Sequence, residues 1–113
     1  MAFTQLPFHP MTSEIGAQTL YTPAFDLGGM TELDMVANVN CIKTGATFDV
    51  SLQHSMDLKD WYALGTLMVD VTAIGNKVKA FTDFMRYVRA SATIRGAGGY
   101  VTYSILGIAK DGV

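Results

Sequence analysis

The sequence predicts an all-β chain, a single antiparallel β-sandwich or jelly roll with an extended N-terminal arm. Apolar and polar residues alternate with period two in several separate runs, a pattern typical of strands with one buried face. Turn residues such as Gly28-Gly29 and Gly75-Asn76 separate these runs. Because no window of ten or more residues shows a helical stripe, we expect short antiparallel strands and no βαβ units.

Composition limits the classes of function. The chain has 113 residues, 50% of them hydrophobic, which suffices for one domain with its own core. Charged residues make up only 16% and the formal net charge is -2, which argues against broad electrostatic binding of nucleic acid. The sequence contains neither a signal-peptide pattern nor the ~20 apolar residues of a membrane-spanning helix. We therefore expect no nucleic-acid partner and no membrane partner.

The first 15 residues are predicted to form the arm, and residues 16–113 the sandwich domain. Pro7 and Pro10 favour extended backbone in the residues before them and discourage helix. The arm is too apolar for a solvated tail, so it either crosses its own domain or lies on a partner. Its apolar residues are Phe3, Leu6, Phe8 and Met11.

Alternation predicts the strands that follow. The strongest runs span residues 33–41, 47–53, 87–95 and 101–105. The single cysteine, Cys41, is in phase with the apolar positions of the first run and cannot form an intrachain disulfide. We therefore expect Cys41 to be a buried free thiol.

The stretch LQHSMDLKDWYAL, residues 52–64, is predicted to be a structural turn between two strands. Ser55 and Asp57 are residue types that bond nearby backbone N–H groups, and Trp61 is expected to cap one end of the core. A calcium site is disfavoured because only Asp57 and Asp60 supply carboxylates, whereas calcium takes about six to eight oxygen ligands. A sugar site with Trp61 as a stacking platform stays open.

Catalytic and metal-binding arrangements are disfavoured. His54 and Ser55 are adjacent on a strand and point to opposite faces, so with Asp57 they make a poor triad. His9, His54 and Cys41 lack the paired spacing of a zinc site. We predict a protein that is not an enzyme, with no catalytic residue, no metal and no cofactor.

Basic residues concentrate in the run at 87–95. Strand alternation places Tyr87, Arg89 and Arg95 on the outer face, where they are candidates for binding an acidic surface. The alternative is a solvated sheet face whose arginines pair with acids of the same chain, such as Asp49 or Asp83.

Three runs together form a recognisable scheme: FDLGGMTELDMVANVN, FDVSLQHSMDLKDWYAL and MRYVRASATIRGAGGYVTYSILGI. A strand ends in Q-x-S-x-D followed by tryptophan, and a later aromatic-V-R strand leads into a glycine hairpin. Over residues 24–108 the chain resembles small β-sandwich structural proteins of tailed-phage virions. That group includes capsid decoration (cement) proteins and some neck and tail components.

The resemblance implies a mechanical function. Such a protein binds the outside of a capsid lattice as a small homo-oligomer, with a trimer favoured, and clamps neighbouring subunits together. Its partners would be the major capsid protein or other virion proteins, and its location a virion assembled in the host bacterial cytoplasm. A neck or tail component and a carbohydrate-binding module remain alternatives.

The interface candidates are Phe3, Leu6, Phe8, Met11, Tyr87, Arg89 and Arg95. Deleting residues 2–12 is expected to abolish lattice binding but leave the sandwich folded.

Overall fold

A computed structural model describes residues 3–43, 45–96 and 99–111. The described residues form nine strands: β1 Phe3–Ile15, β2 Gln18–Tyr21, β3 Phe25–Asp26, β4 Glu32–Ile42, β5 Thr47–Ser55, β6 Tyr62–Val71, β7 Gly75–Phe81, β8 Tyr87–Arg95 and β9 Tyr100–Lys110. All pairings between these strands are antiparallel. The prediction of an all-β antiparallel sandwich is confirmed. Within the described residues, no helix is long and apolar enough to cross a membrane.

The strands form two sheets. The first sheet has the order β1-β9-β4-β7, and the second sheet has the order β2-β8-β5-β6, with β3 pairing with β8 beyond the end of β2. Apart from β5 and β6, which are consecutive in the chain, neighbours within each sheet are distant in sequence, so the chain passes repeatedly from one sheet to the other. This crossing arrangement of two sheets is the jelly-roll form of the sandwich.

The core lies between the two sheets. Every second residue is buried over residues 33–39 of β4, 48–52 of β5, 88–94 of β8 and 101–109 of β9, as the alternation in the sequence predicts. The largest fully buried side chains include Tyr103, Phe8, Phe48, Leu33, Met35 and Leu52. Residues from both sheets contribute to one hydrophobic cluster, which is the main source of stability for a chain of this size.

The predicted arm is an edge strand of the first sheet. Residues 3–15 are extended and pair with β9, with register shifts on both sides of His9. Pro7 and Pro10 fit this edge position, because a proline has no N–H to offer a further strand. Burial of Leu6 and Phe8 in the core of their own chain corrects the expectation that these two residues anchor on a neighbouring subunit.

The other two arm candidates differ from Leu6 and Phe8. Met11 is 61% exposed on β1. The backbone of Phe3 pairs opposite Lys110, whereas its side chain lies outside the described part of the chain. Residues 1 and 2 of the arm and residues 97 and 98 of the predicted glycine hairpin also lie outside the described residues.

Cys41 is exposed, which corrects the expectation of a buried thiol. The cause is a register shift in the pairing of β4 with β9. Val39 lies opposite Tyr103, but Cys41 lies opposite Thr102, so an extra residue is inserted in β4 at Asn40. The bulge ends the alternation two residues before the sequence pattern suggests.

Candidate partner-binding face on the second sheet

The turn after β5 is held by two polar side chains. The buried Ser55 hydroxyl accepts hydrogen bonds from the backbone N–H groups of Asp57 (3.2 Å) and Leu58 (3.0 Å) and donates one to Oδ1 of Asp57 (3.0 Å). The same Asp57 oxygen accepts from the N–H groups of Lys59 (2.9 Å) and Asp60 (3.0 Å). These amides, Asp60 first and then Lys59, lower the pKa of Asp57. These hydrogen bonds fix the backbone conformation of the turn and so the position from which Trp61 extends.

Arg89 is the centre of the candidate site. It lies on the outer face of β8, directly opposite Gln53 on β5, and its Nε donates to Oε1 of Gln53 at 2.8 Å. The guanidinium carbon is 4.4 Å from the ring centroid of Tyr21 and 4.2 Å from that of Trp61. Tyr21 comes from β2 on one side of β8, and Trp61, the residue just before β6, comes from the other side. The guanidinium is thus flanked by two aromatic side chains.

Trp61 packs on this outer face and is only partly buried. It is absent from the hydrophobic cluster formed by the described residues, so the expectation that it caps the core is wrong. The physical reason is the neighbouring Arg89, whose flat cation offers the ring a stacking partner outside the core. The next residue, Tyr62, is 55% exposed.

Arg95 lies six residues along the same strand and is satisfied within the chain. Its Nε donates to Oδ2 of Asp49 at 3.0 Å, and its Nη2 donates to Oδ1 of Asp49 at 3.1 Å and also contacts Asp70. The hydrogen bond to Asp70, followed by that to Asp49, raises the pKa of Arg95. This end of the face matches the solvated-face alternative, in which arginines pair with acids of the same sheet.

Arg86, just before β8, is also paired. It contacts both carboxylate oxygens of Asp26 at 3.1 and 3.0 Å, and this bond lowers the pKa of Asp26. Its guanidinium carbon lies 5.3 Å from the ring centroid of Tyr87. Tyr87, a predicted interface residue, therefore lies on the same face as Arg89 but contacts Arg86.

The other sequence candidates do not form a reactive group. Nδ1 of His54 accepts a hydrogen bond from the backbone N–H of Met85 at 3.1 Å, so this nitrogen fixes the loop before β8. Among residues 3–43, 45–96 and 99–111, no three His, Cys, Asp or Glu side chains are grouped closely enough to hold a metal ion.

Sequence reasoning missed two members of the site. Tyr21 belongs to a four-residue strand, which is too short for alternation to assign its face. Alternation within residues 47–53 puts Gln53 on the outer face of its strand but indicates no role for it. Its role follows from the register that sets Gln53 opposite Arg89, and register between distant strands is not visible in a single sequence.

A second open surface lies at the connection between β6 and β7. These strands are the outer strands of different sheets, and within the described residues β6 pairs only with β5 and β7 only with β4. Between them is a groove of about 380 Å³ with a mixed polar and apolar lining, whose apolar part includes Leu67, Val69, Val71 and Ile74. Ile74 is 72% exposed.

No protein-family model and no curated protein matches this sequence. Solved structures do match its fold. The PBSX exported protein XepA has a TM-score of 0.73 at 12% identity, with 97% of this chain and 38% of XepA covered. The structure of infectious bursal disease virus, Gx strain, has a TM-score of 0.66 at 9% identity, covering 96% of this chain and 32% of that one.

The SPBc2 prophage-derived protein YomS has a TM-score of 0.54 at 14% identity, covering 96% of this chain and 92% of YomS. The C-terminal carbohydrate-binding module (CBM6) of LamC, a marine laminarinase from Zobellia galactanivorans, has a TM-score of 0.51 at 9% identity, covering 96% and 100%. The chain spans about a third of the length of the viral capsid structures it matches. At these identities the likenesses show a fold that is shared by virus, prophage and carbohydrate-binding proteins.

Proposed function

We propose that this chain is a virion structural protein, specifically a capsid decoration (cement) protein that is not an enzyme. The observation that carries the proposal is the cluster of Tyr21, Trp61 and Arg89 on the outer face of the second sheet, in which Tyr21 is exposed and Trp61 and Arg89 are partly buried. Tyrosine, tryptophan and arginine are the side chains that most often dominate binding energy at protein interfaces. Arg89 contacts both aromatic rings, and a cluster of these three residue types suits a partner surface.

The proposed partner is the major capsid protein of the assembled shell. The cluster would bind where neighbouring shell subunits meet, so the protein binds the lattice more tightly than it binds free subunits. Such a preference stabilises the lattice by mass action. Symmetry repeats the contact at every equivalent position of the shell, so a modest affinity for each contact suffices. The chain would join virions assembled in the host bacterial cytoplasm.

We further propose a homo-oligomer, with a trimer favoured. The groove between β6 and β7 supports a contact between copies, because it combines two open sheet edges with a partly apolar lining and the exposed Ile74. Native mass spectrometry of the parent chain measures the subunit number. Ile74→Lys should shift the oligomer to monomer if the groove is the contact between copies.

The decisive experiment is quantitative mass spectrometry of purified virus particles, comparing copies of this chain with copies of the major capsid protein. Comparable abundance supports a decoration protein. A few copies per particle would place the chain in the neck or tail instead. Its absence from particles would overturn the virion proposal altogether.

A carbohydrate-binding module is the second candidate, favoured by Trp61 and the exposed Tyr62 and by the shared fold of the CBM6 domain. Against it, Trp61 already stacks on Arg89, so part of the aromatic surface that a sugar ring would use is occupied. Pull-down with insoluble β-glucan and chitin tests this candidate. Retention of the parent chain but not of Tyr62→Ala would support it.

A further inference from the structure

Arg89 differs from the two other arginines of the chain in its partners. Arg86 pairs with Asp26, and Arg95 pairs with Asp49 and Asp70. Arg89 has no acidic partner among the residues that the structure describes, and its only recorded hydrogen bond is the one from Nε to Gln53. The Nη1 and Nη2 donors of Arg89 therefore remain available on the outer face.

The surroundings of Arg89 hold these donors in place. Gln53 binds the Nε side of the guanidinium, and Tyr21 and Trp61 flank it from opposite sides of β8. The Ser55–Asp57 turn fixes the chain just before Trp61. A guanidinium restrained in this way loses little conformational entropy when it binds a ligand, which strengthens the bond it can form.

From this geometry we infer that the Nη1–Nη2 edge of Arg89 is a binding fork for the carboxylate of an Asp or Glu side chain on the shell protein. The inference rests on the proposed function. Two parallel N–H donors match the two oxygens of a carboxylate, and such paired bonds are stronger and more directional than contacts of a point charge. Tyr21, 56% exposed, and Trp61 provide aromatic surface around the fork that shields the ion pair from water.

A single carboxylate suits the site better than a polyanion. Nucleic acid is bound through several phosphates at once, and each phosphate needs its own cation. The neighbouring cations of this face, Arg86 and Arg95, are already neutralised by acids of the same chain. In the described part of the chain, the face therefore offers one unneutralised cation, the Arg89 guanidinium, between two aromatic rings. Such a site favours a single carboxylate of a protein partner over a polyanion.

The test uses purified shells that lack this chain, prepared from a deletion strain of the source virus. Dissociation constants from co-sedimentation are compared for the parent, Arg89→Lys and Arg95→Lys. Lysine keeps the positive charge but loses the fork, so Arg89→Lys should weaken binding at least tenfold. Arg95→Lys is the matched control on the same strand, and its binding should stay within twofold because Asp49 and Asp70 already use the Arg95 donors. Shells whose carboxylates have been converted to amides should bind the parent as weakly as untreated shells bind Arg89→Lys.

Gln53→Ala gives a second route if Arg89→Lys does not fold. This change should weaken shell binding about threefold, because it releases the Nε side of Arg89. If Arg89→Lys folds and binds shells as tightly as the parent, the inference is overturned but the decoration role is not. If Arg89→Lys is unfolded, Gln53→Ala decides in the same way. Failure of the parent itself to bind shells overturns both. A further outcome is that the parent fails to bind shells but is retained on a polygalacturonate column that does not retain Arg89→Lys. That result would assign the fork to a sugar acid and overturn the assignment to a shell protein.

Discussion

Gly107 on β9 lies so close to Phe8 on β1 that a Cβ atom at position 107 would stand 2.7 Å from Cε2 of the Phe8 ring. Carbon atoms in good contact are about 3.5 to 4.0 Å apart. The ring of Phe8 therefore occupies the space that a side chain at position 107 would need. Through this contact the N-terminal strand is fitted into the core, where it contributes to the stability of the whole sandwich.

Gly107→Ala should lower the free energy of unfolding by about 1–3 kcal/mol, because the added methyl group overpacks the core. The same Cβ would also lie 2.9 Å from Sδ of Met35, so a movement of Phe8 alone does not relieve the clash. Urea denaturation measures the change. Gly75→Ala is the matched control, since a Cβ there meets no atom within 4 Å. Equal stability of the two variants would contradict the prediction.

Phe8→Ala should destabilise the protein by about 3–5 kcal/mol, the usual cost of removing a buried aromatic ring. Met11→Ala on the same strand should change stability by no more than about 0.5 kcal/mol, because Met11 is largely exposed. Thermal unfolding followed by circular dichroism distinguishes the two variants. If Phe8→Ala is as stable as Met11→Ala, β1 is not part of the core in solution.

Deleting residues 2–12 should accordingly unfold or strongly destabilise the sandwich. The deletion removes Leu6 and Phe8 from the core and most of the pairing with β9. The sequence pattern predicts the opposite result, because a stretch with two prolines reads as an arm outside the domain. A deletion variant with parent-like unfolding would restore the arm interpretation.

The alternating runs allowed β4, β5, β8 and β9 to be predicted from the sequence, because one buried face imposes period two on the residues. β6 resisted prediction for an equally physical reason. Its pairing with β5 contains three register shifts, and two adjacent residues, Leu67 and Met68, are both buried. The bulge at Asn40 likewise turned Cys41 outward. Bulges and the register between distant strands depend on the partner strand, so a local pattern cannot reveal them.

Ser55→Ala should lower the free energy of unfolding by about 1–3 kcal/mol. The substitution removes a buried acceptor and leaves the N–H groups of Asp57 and Leu58 without their bonds to the hydroxyl. Ser51→Ala, on the outer face of the same strand, is the control and should cost about 0.5 kcal/mol or less. Guanidinium denaturation compares them. A difference below about 0.5 kcal/mol would mean that the turn does not depend on Ser55.

Trp61→Ala should cost only about 0.5–1 kcal/mol of stability, the contribution of an exposed cation–π contact with Arg89. Phe48→Ala, which removes a fully buried ring, should cost about 3–5 kcal/mol in the same experiment. Urea unfolding of both variants makes the comparison. A loss of about 3 kcal/mol or more for Trp61→Ala would return this residue to the core, as the sequence pattern predicts.

Tyr103 should make the protein sensitive to alkali. Burial, with a smaller contribution from the nearby charge of Glu14, raises the pKa of Tyr103 to about 12, whereas the side chain in the unfolded chain ionises near its model value of 10.0. Above pH 10 the unfolded state loses the proton first, so ionisation favours unfolding. The contribution of this group is therefore complete below pH 10 and is lost as the pH rises towards 12. Two pKa units correspond to about 3 kcal/mol.

Tyr103→Phe removes the ionising group and should flatten the loss of stability between pH 10 and pH 12. At neutral pH the variant loses the contact of the Tyr103 hydroxyl with Nε2 of His9, 3.3 Å away, but keeps the ring packed on Phe48. Urea unfolding at pH 9, 10, 11 and 12 gives the comparison, with the exposed Tyr21→Phe as the control. The contradicting outcome is that Tyr103→Phe and the parent lose stability in parallel over this range. In that case other groups cause the alkaline unfolding, and burial does not raise the pKa of Tyr103.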